Sequence, residues 1–317
     1  LKEGTIPPLV GLLGSTYTQL RSNASGAIAV LARGHAEVQA TLVRCQAITL
    51  LCAALRDSLS QHDAIGFACQ EESALALHSL TSEASNAVKG MVSKAGAIGL
   101  LMNLLSSPNT TERGVHNAAI SLAAIARGDN ENLKAVTHAL TAAISARVPH
   151  HKAVKLLSAL TLLCGNGRAS QEAVANEPGV FVSLVSWLTT PSKDVQVQAA
   201  RVILALGSNN ATTQQAIGTN GAVSPLVKLL EIKFVEEGVF EAQEYSACAL
   251  WHLAGRIENR NRMANAVSVQ PLVLMLGAEG ELVPRLGAML LVRLANHSPE
   301  LVSTIVSAGG IVPLVKL

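Results

Sequence analysis

Residues Ala211–Leu230 read ATTQQAIGTNGAVSPLVKLL, and the middle of that stretch is written more than once in the chain. Gly221-Ala222-Val223-Ser224-Pro225-Leu226-Val227 recurs as Gly4-Thr5-Ile6-Pro7-Pro8-Leu9-Val10 and as Gly309-Gly310-Ile311-Val312-Pro313-Leu314-Val315. Looser copies begin at Gln46, Gly96, His138, Gly179 and Val267. Measured from the glycine or its substitute, the steps are 42, 50, 42, 41, 42, 46 and 42 residues. Self-similarity at a nearly fixed period marks a stack of like units, each burying its apolar side against the next.

Each unit reads as three helices. Asn210–Thr219 is a short first helix, and Gly221 supplies a positive-φ hinge that lets the chain turn. Pro225 falls in the first turn of the second helix, where a missing N–H costs nothing. Leu226, Val227, Leu229 and Leu230 give that helix its apolar side. A longer third helix follows, as in VQVQAARVILAL (195–206), with small and apolar residues at helical spacing.

The units fall at about 1–34 (partial), 35–81, 82–127, 128–164, 165–207, 208–254, 255–296 and 297–317 (partial), one array across 1–317. In the fourth unit the usual Gly and Pro are lost and His138 takes the glycine place; in the seventh, Val267 does. Two segments break the spacing. Asp57–Ser73 and Glu231–Glu244 read as enlarged loops, a feature that goes with binding or with tolerated insertion. The chain begins without Met and stops in mid-repeat, as expected of a piece of a longer protein.

Composition agrees with a stacked helical core. Of the 317 residues, 49% are AVILMFWYC and 15% are charged, which excludes a disordered chain. Aromatics make up 3%, so the core must be built from Leu, Val, Ile and Ala, residues that suit close helix packing. A net charge of +2 without a Lys/Arg cluster excludes broad nucleic-acid binding, which needs a basic stripe. The five cysteines are odd in number and form no Cys-x-x-Cys pair, the pattern of buried thiols in a reducing compartment. The location expected is cytoplasmic, with the nucleus, or a membrane reached through sequence outside this chain, left open. No apolar run reaches the ~20 residues that a transmembrane helix needs.

The strings GTIPPLVGLL, GAVSPLVKLL and ACALWHLA resemble the armadillo repeat, whose units end in a helix of the type A-L-x-N-L-A. The resemblance covers the whole chain and implies an all-α, right-handed armadillo-repeat solenoid of three-helix units, period about 42 residues. The unit sequences look most like the vacuole-inheritance and plant armadillo-repeat-only and U-box proteins.

In armadillo proteins the third helices line a concave groove that holds extended partner segments. The resemblance places Val30, Ser79, Ala124, Leu162, Ala205, His252 and Arg293 at the inner groove position. The position one turn earlier is held by Gly26, Leu75, Ile120, Ser158, Arg201, Cys248 and Met289. Nuclear import receptors of this fold carry Trp and Asn at those two positions, and this chain has neither there, which argues against that role. Arg201, His252 and Arg293, with Arg285 two turns before Arg293, are expected to form a basic strip with Trp251 at its lip, suited to an acidic peptide. Ser79 is the polar candidate in the second unit. Phe234 and Phe240 are the candidates in the enlarged loop, and Trp187, among Leu184, Val185 and Leu188, reads as core.

Enzyme chemistry finds little support. His150-His151 point about 100° apart on a helix and have no acidic or thiol neighbour at ligand spacing. Cys164-Gly165-Asn166-Gly167 lacks the Gly-Lys-Ser/Thr of a phosphate loop and reads as a helix terminus. The expectation is a non-catalytic scaffold with no cofactor and no metal, whose partners are other proteins, gripped as extended peptide segments. The alternatives are the substrate-recruiting array of a larger ubiquitin ligase and a membrane-tethered adaptor.

Overall fold

The computed structural model of the chain describes residues 4–146, 148–231, 239–264, 266–278 and 280–316, without the side chains at 239–240 and 266–268. Among these residues every regular element is helical. The chain divides into two compact units, Leu1–Asn166 and Gly167–Leu317.

In the first unit, α1 (Ile6–Gly11) runs into a 3-10 turn and is followed by α2 (Thr18–Ala32). Next come α3 (Ala36–Arg44), α4 (Ala47–Ser58) and α5 (Ala64–Thr81), then α6 (Asn86–Lys94), α7 (Ala97–Ser106) and α8 (Glu112–Ala126), and finally α9 (Asn130–Ser145) and α10 (His150–Cys164). The second unit holds α11 (Arg168–Ala175), α12 (Val180–Leu188) and α13 (Lys193–Gly207), then α14 (Ala211–Thr219), α15 (Val223–Leu230) and α16 (Val239–Leu253). It ends with α17 (Ile257–Met263), α18 (Ala266–Leu274), α19 (Leu282–Ala295), α20 (Pro299–Ser307) and α21 (Ile311–Lys316).

Gly96, Gly179, Gly221 and Gly309 take the positive φ that their spacing predicts. Gly221 has φ +84, its N–H donates to the Gly218 carbonyl at 3.1 Å, and the Ala222 N–H reaches back to Ile217 at 3.3 Å. That pair of bonds closes α14 with a left-handed cap and frees the chain to start α15 in a new direction. Gly309 and Gly310 repeat the arrangement after α20. Gln46 holds the same region, with φ +62, despite its side chain.

A Cβ on Gly221 would meet nothing within 4 Å, so a substitution there is opposed by backbone conformation alone. Gly221→Val is expected to destabilise by about 1–2 kcal/mol. The check is the denaturation midpoint against the unmodified chain; equal midpoints would remove the hinge role.

Three expectations need correction. His138 is no hinge: α9 runs unbroken from Asn130 to Ser145, joining the first and second helices of that unit. With neither a glycine to take positive φ nor a proline, continued helical hydrogen bonding is the lower-energy path. Val267 lies inside α18 as its second residue and is no hinge. The segment Asp57–Ser73 is mostly helix, since α4 extends to Ser58 and α5 starts at Ala64, capped by Asp63 accepting from the Gly66 N–H at 2.7 Å. The extra residues of that step lengthen two helices and leave only 59–63 between them.

The third helices pack side by side: α2 on α5, α5 on α8 and α8 on α10 in the first unit, α13 on α16 and α16 on α19 in the second. Small residues set the approach. Ser25 and Ser73 hydroxyls meet at 3.2 Å between α2 and α5, and Ser121 of α8 donates to the Ala74 carbonyl at 2.8 Å. Leu77, Leu80, Leu122, Ile125 and Leu163 of the same helices are essentially without solvent exposure.

A second repeated device went unread in the sequence. Each third helix ends with carbonyls that no helical N–H can reach. Gln39, the fourth residue of α3, donates its amide to the Ala32 carbonyl at 2.9 Å and the Ser79 carbonyl at 3.0 Å. Gln171, fourth in α11, reaches the Ala205 and Ser208 carbonyls at 2.8 and 3.1 Å. Gln214, fourth in α14, reaches Gly207 at 2.8 Å, and Asn259 in α17 reaches Leu253 at 3.1 Å. Lys89, fourth in α6, donates to the Arg127 carbonyl at 2.5 Å and is held below its usual pKa by burial and then by the Arg127 charge. A buried polar ladder therefore ties first helices to the ends of third helices.

Candidate functional site

In the second unit α16 packs between α13 and α19, and its accessible face is a stripe at helical spacing: Glu244 and Tyr245, Cys248, then Trp251 and His252. The residues between, Ala247, Ala249, Leu250 and Leu253, are buried and fix the rotation of the helix. Each flanking helix lays one arginine on that stripe. The Arg201 guanidinium of α13 lies 5.2 Å from the Tyr245 ring centroid and also donates to Gln198 at 3.3 Å. The Arg293 guanidinium of α19 lies 4.0 Å from the Trp251 ring centroid and donates to the Trp251 carbonyl at 3.2 Å. Trp251 and His252 meet edge to face, with centroids 5.4 Å apart.

Stacking on an aromatic face orients a guanidinium without neutralising it. Among the described residues neither Arg201 nor Arg293 forms an ion pair, and the buried indole N–H of Trp251 has no acceptor. Burial, reinforced by the Arg293 charge, holds His252 below its usual pKa, so it is neutral near pH 7. Burial pushes the Cys248 thiol up, with Glu244 adding to the effect, which disfavours the thiolate. The positive charge of the face thus comes from its arginines.

Of the expected strip, the structure brings Arg293, Trp251 and His252 together and sets Arg201 on the far side of the same helix stripe. Arg285 is exposed two turns before Arg293 and stands apart from the stacks. Tyr245, which carries Arg201, is not among the expected residues; its place one turn before Cys248 on a third helix is the signal the sequence holds. Ser79 is 1% exposed, and the residue of that turn which reaches the surface is His78. Trp187 is half-buried on α12, short of the core position expected. Phe234 lies outside the described residues, as does the Phe240 side chain, although residue 240 itself and the end of the 231–244 segment already belong to α16.

His150 and His151 are exposed in the first turn of α10, and among the described residues no three His, Cys, Asp or Glu converge as a metal site. Cys164 ends α10 with Gly165 as its cap, as a helix terminus should. Burial pushes the Cys52 and Cys164 thiols up to about 11 and about 12, whereas Cys45 and Cys248 are only half-buried. Among the described residues no single helix is long and apolar enough to cross a membrane.

No family model matches the sequence, and no curated protein does either. Solved structures do. An engineered protein from the Northeast Structural Genomics Consortium is 28% identical, with a TM-score of 0.66 over 98% of this chain and 73% of its own. A second engineered protein from that consortium is 25% identical, with a TM-score of 0.52 over 79% of this chain and 96% of its own. A designed armadillo repeat protein in complex with the peptide (KR)4 is 22% identical, with a TM-score of 0.54 over 79% of this chain and all of its own. With three-helix units, glycine hinges and side-by-side third helices in each compact unit, the chain has an armadillo-like repeat fold.

Proposed function

We propose that the chain is a non-catalytic protein-interaction scaffold that holds an extended, acidic peptide segment across α13, α16 and α19. The observation that carries this reading is the pair of arginines stacked on Tyr245 and Trp251 without a carboxylate partner among the described residues. Oriented guanidiniums donate to carboxylates in a fixed geometry, and the aromatic faces beside them take apolar side chains. The designed armadillo protein above was solved with a Lys/Arg peptide; here the protein surface carries the arginines, so the complement is acidic. Rigid, pre-stacked helices lower the entropy lost when such a segment is ordered.

The test combines Arg201→Glu and Arg293→Glu and follows binding of a fluorescent peptide of alternating Glu and Leu, with a pull-down from cell extract read by mass spectrometry. Peptide affinity and a set of acidic-segment partners should both be lost from the variant, while its helicity is kept. Equal peptide affinity for the two proteins would move the binding surface elsewhere.

A further inference from the structure

The first compact unit carries a cavity of about 330 Å³ where the ends of α5, α8 and α10 come together. Ile120 and Leu162 contribute apolar walls, and His78, Arg127 and Asn166 bring the polar groups. Its geometry is braced. The Arg127 Nε and Nη2 donate to the Asn166 side-chain oxygen at 3.2 and 3.0 Å, and the Asn166 amide donates to the Ala123 carbonyl at 2.7 Å. The Arg127 carbonyl is held in turn by the buried Lys89 amine.

This bracing fixes the guanidinium at the cavity and leaves its Nη1 without an acceptor among the described residues, where Arg127 forms no ion pair. His78 lies 3.3 Å from the Ile120 carbonyl through Nδ1, which therefore carries the proton, since a carbonyl only accepts. Burial holds His78 below its usual pKa, against the Ile120 hydrogen bond that raises it, and the Arg127 and Arg33 charges add to the lowering, so positive charge is felt at the cavity. A fixed guanidinium, a positive field and two apolar walls fit a carboxylate on a short aliphatic stem.

We propose that this cavity is a subsite for an acidic side chain of a bound peptide, with the carboxylate on Arg127 and the stem between Ile120 and Leu162. The proposal goes beyond the surface on α13, α16 and α19: it is a separate site in the other compact unit, so the two fail separately.

The probe is a Leu-Glu-Leu peptide with blocked ends, followed through the His78 imidazole resonances. These should shift on titration with the unmodified chain and with the Arg201→Glu/Arg293→Glu variant alike. Arg127→Gln, and a Leu-Gln-Leu probe, should each weaken the response about tenfold or more, the worth of one charge-assisted hydrogen bond. Arg127→Lys keeps the charge and should retain part of the binding, which separates recognition from a folding defect. Unmoved His78 resonances, an equal response in Arg127→Gln, or the same shift from free glutamate at the same concentration would each overturn the subsite.

Discussion

Gln171→Met is expected to destabilise the carboxyl-terminal compact unit by about 3 kcal/mol. Met matches Gln in length and fills the same space, so the change isolates the amide. Gln171 is 6% exposed, and its Nε2 is the donor to both the Ala205 and the Ser208 carbonyls. No backbone N–H reaches either carbonyl among the described residues, so both lose their partner. The Gln171 oxygen also accepts from the Asn210 amide at 3.1 Å, and Asn210, 1% exposed, caps the start of α14. One substitution therefore strands two acceptors and one donor, each worth roughly 1–3 kcal/mol when buried and unpaired, with relaxation absorbing part of the sum. Denaturation of the chain, with amide exchange read on α11 and α14, checks this. An unchanged midpoint would mean that the ladder is redundant with water at these helix ends.

The ladder also shows what the sequence made legible. Apolar spacing and the Gly-to-Pro recurrence carried the three-helix unit, because hinge and burial are properties of residue types at fixed offsets. Gln39, Lys89, Gln171 and Gln214 each stand fourth in a first helix, which is also a recurrence. They escaped notice because Gln and Lys read as solvated until the carbonyls they meet are known to be buried. His138 failed as a hinge for a related reason: alignment to a repeat assigns a position, but only the residue's own φ preference decides whether the chain turns there.

The candidate site was legible in part. Arg201, His252 and Arg293 came from the armadillo resemblance, which assigns two positions one turn apart on each third helix. Their roles did not follow. That Arg293 lies over Trp251, and Arg201 over Tyr245, depends on neighbouring units being brought side by side at a given rotation. Ser79 stands in the register of His252, and Leu75 and His78 surface as Cys248 and Trp251 do, but the short Ser79 side chain is 1% exposed, and sequence register alone does not reveal that burial.

Trp251→Ala is expected to weaken binding of the Glu/Leu peptide by about 30-fold or more, the ~2 kcal/mol of an interface hot spot. The argument rests on what the indole does for its neighbour as well as for a ligand. Arg293 lies 4.0 Å from the ring centroid, and without the ring its guanidinium regains several rotamers, so the entropy of fixing it is lost at the moment of binding. Trp251→Phe keeps a face for the guanidinium but removes the indole N–H, which has no acceptor among the described residues. Phe should therefore retain most of the affinity, since the buried N–H lies out of a docked peptide's reach. Trp187→Phe leaves Trp251 as the only indole of the two in the chain, so its emission reports occupancy directly. Emission that stays constant through saturation, with Ala binding as tightly as Trp, would take the peptide off this helix and leave the Arg293 stack a structural contact.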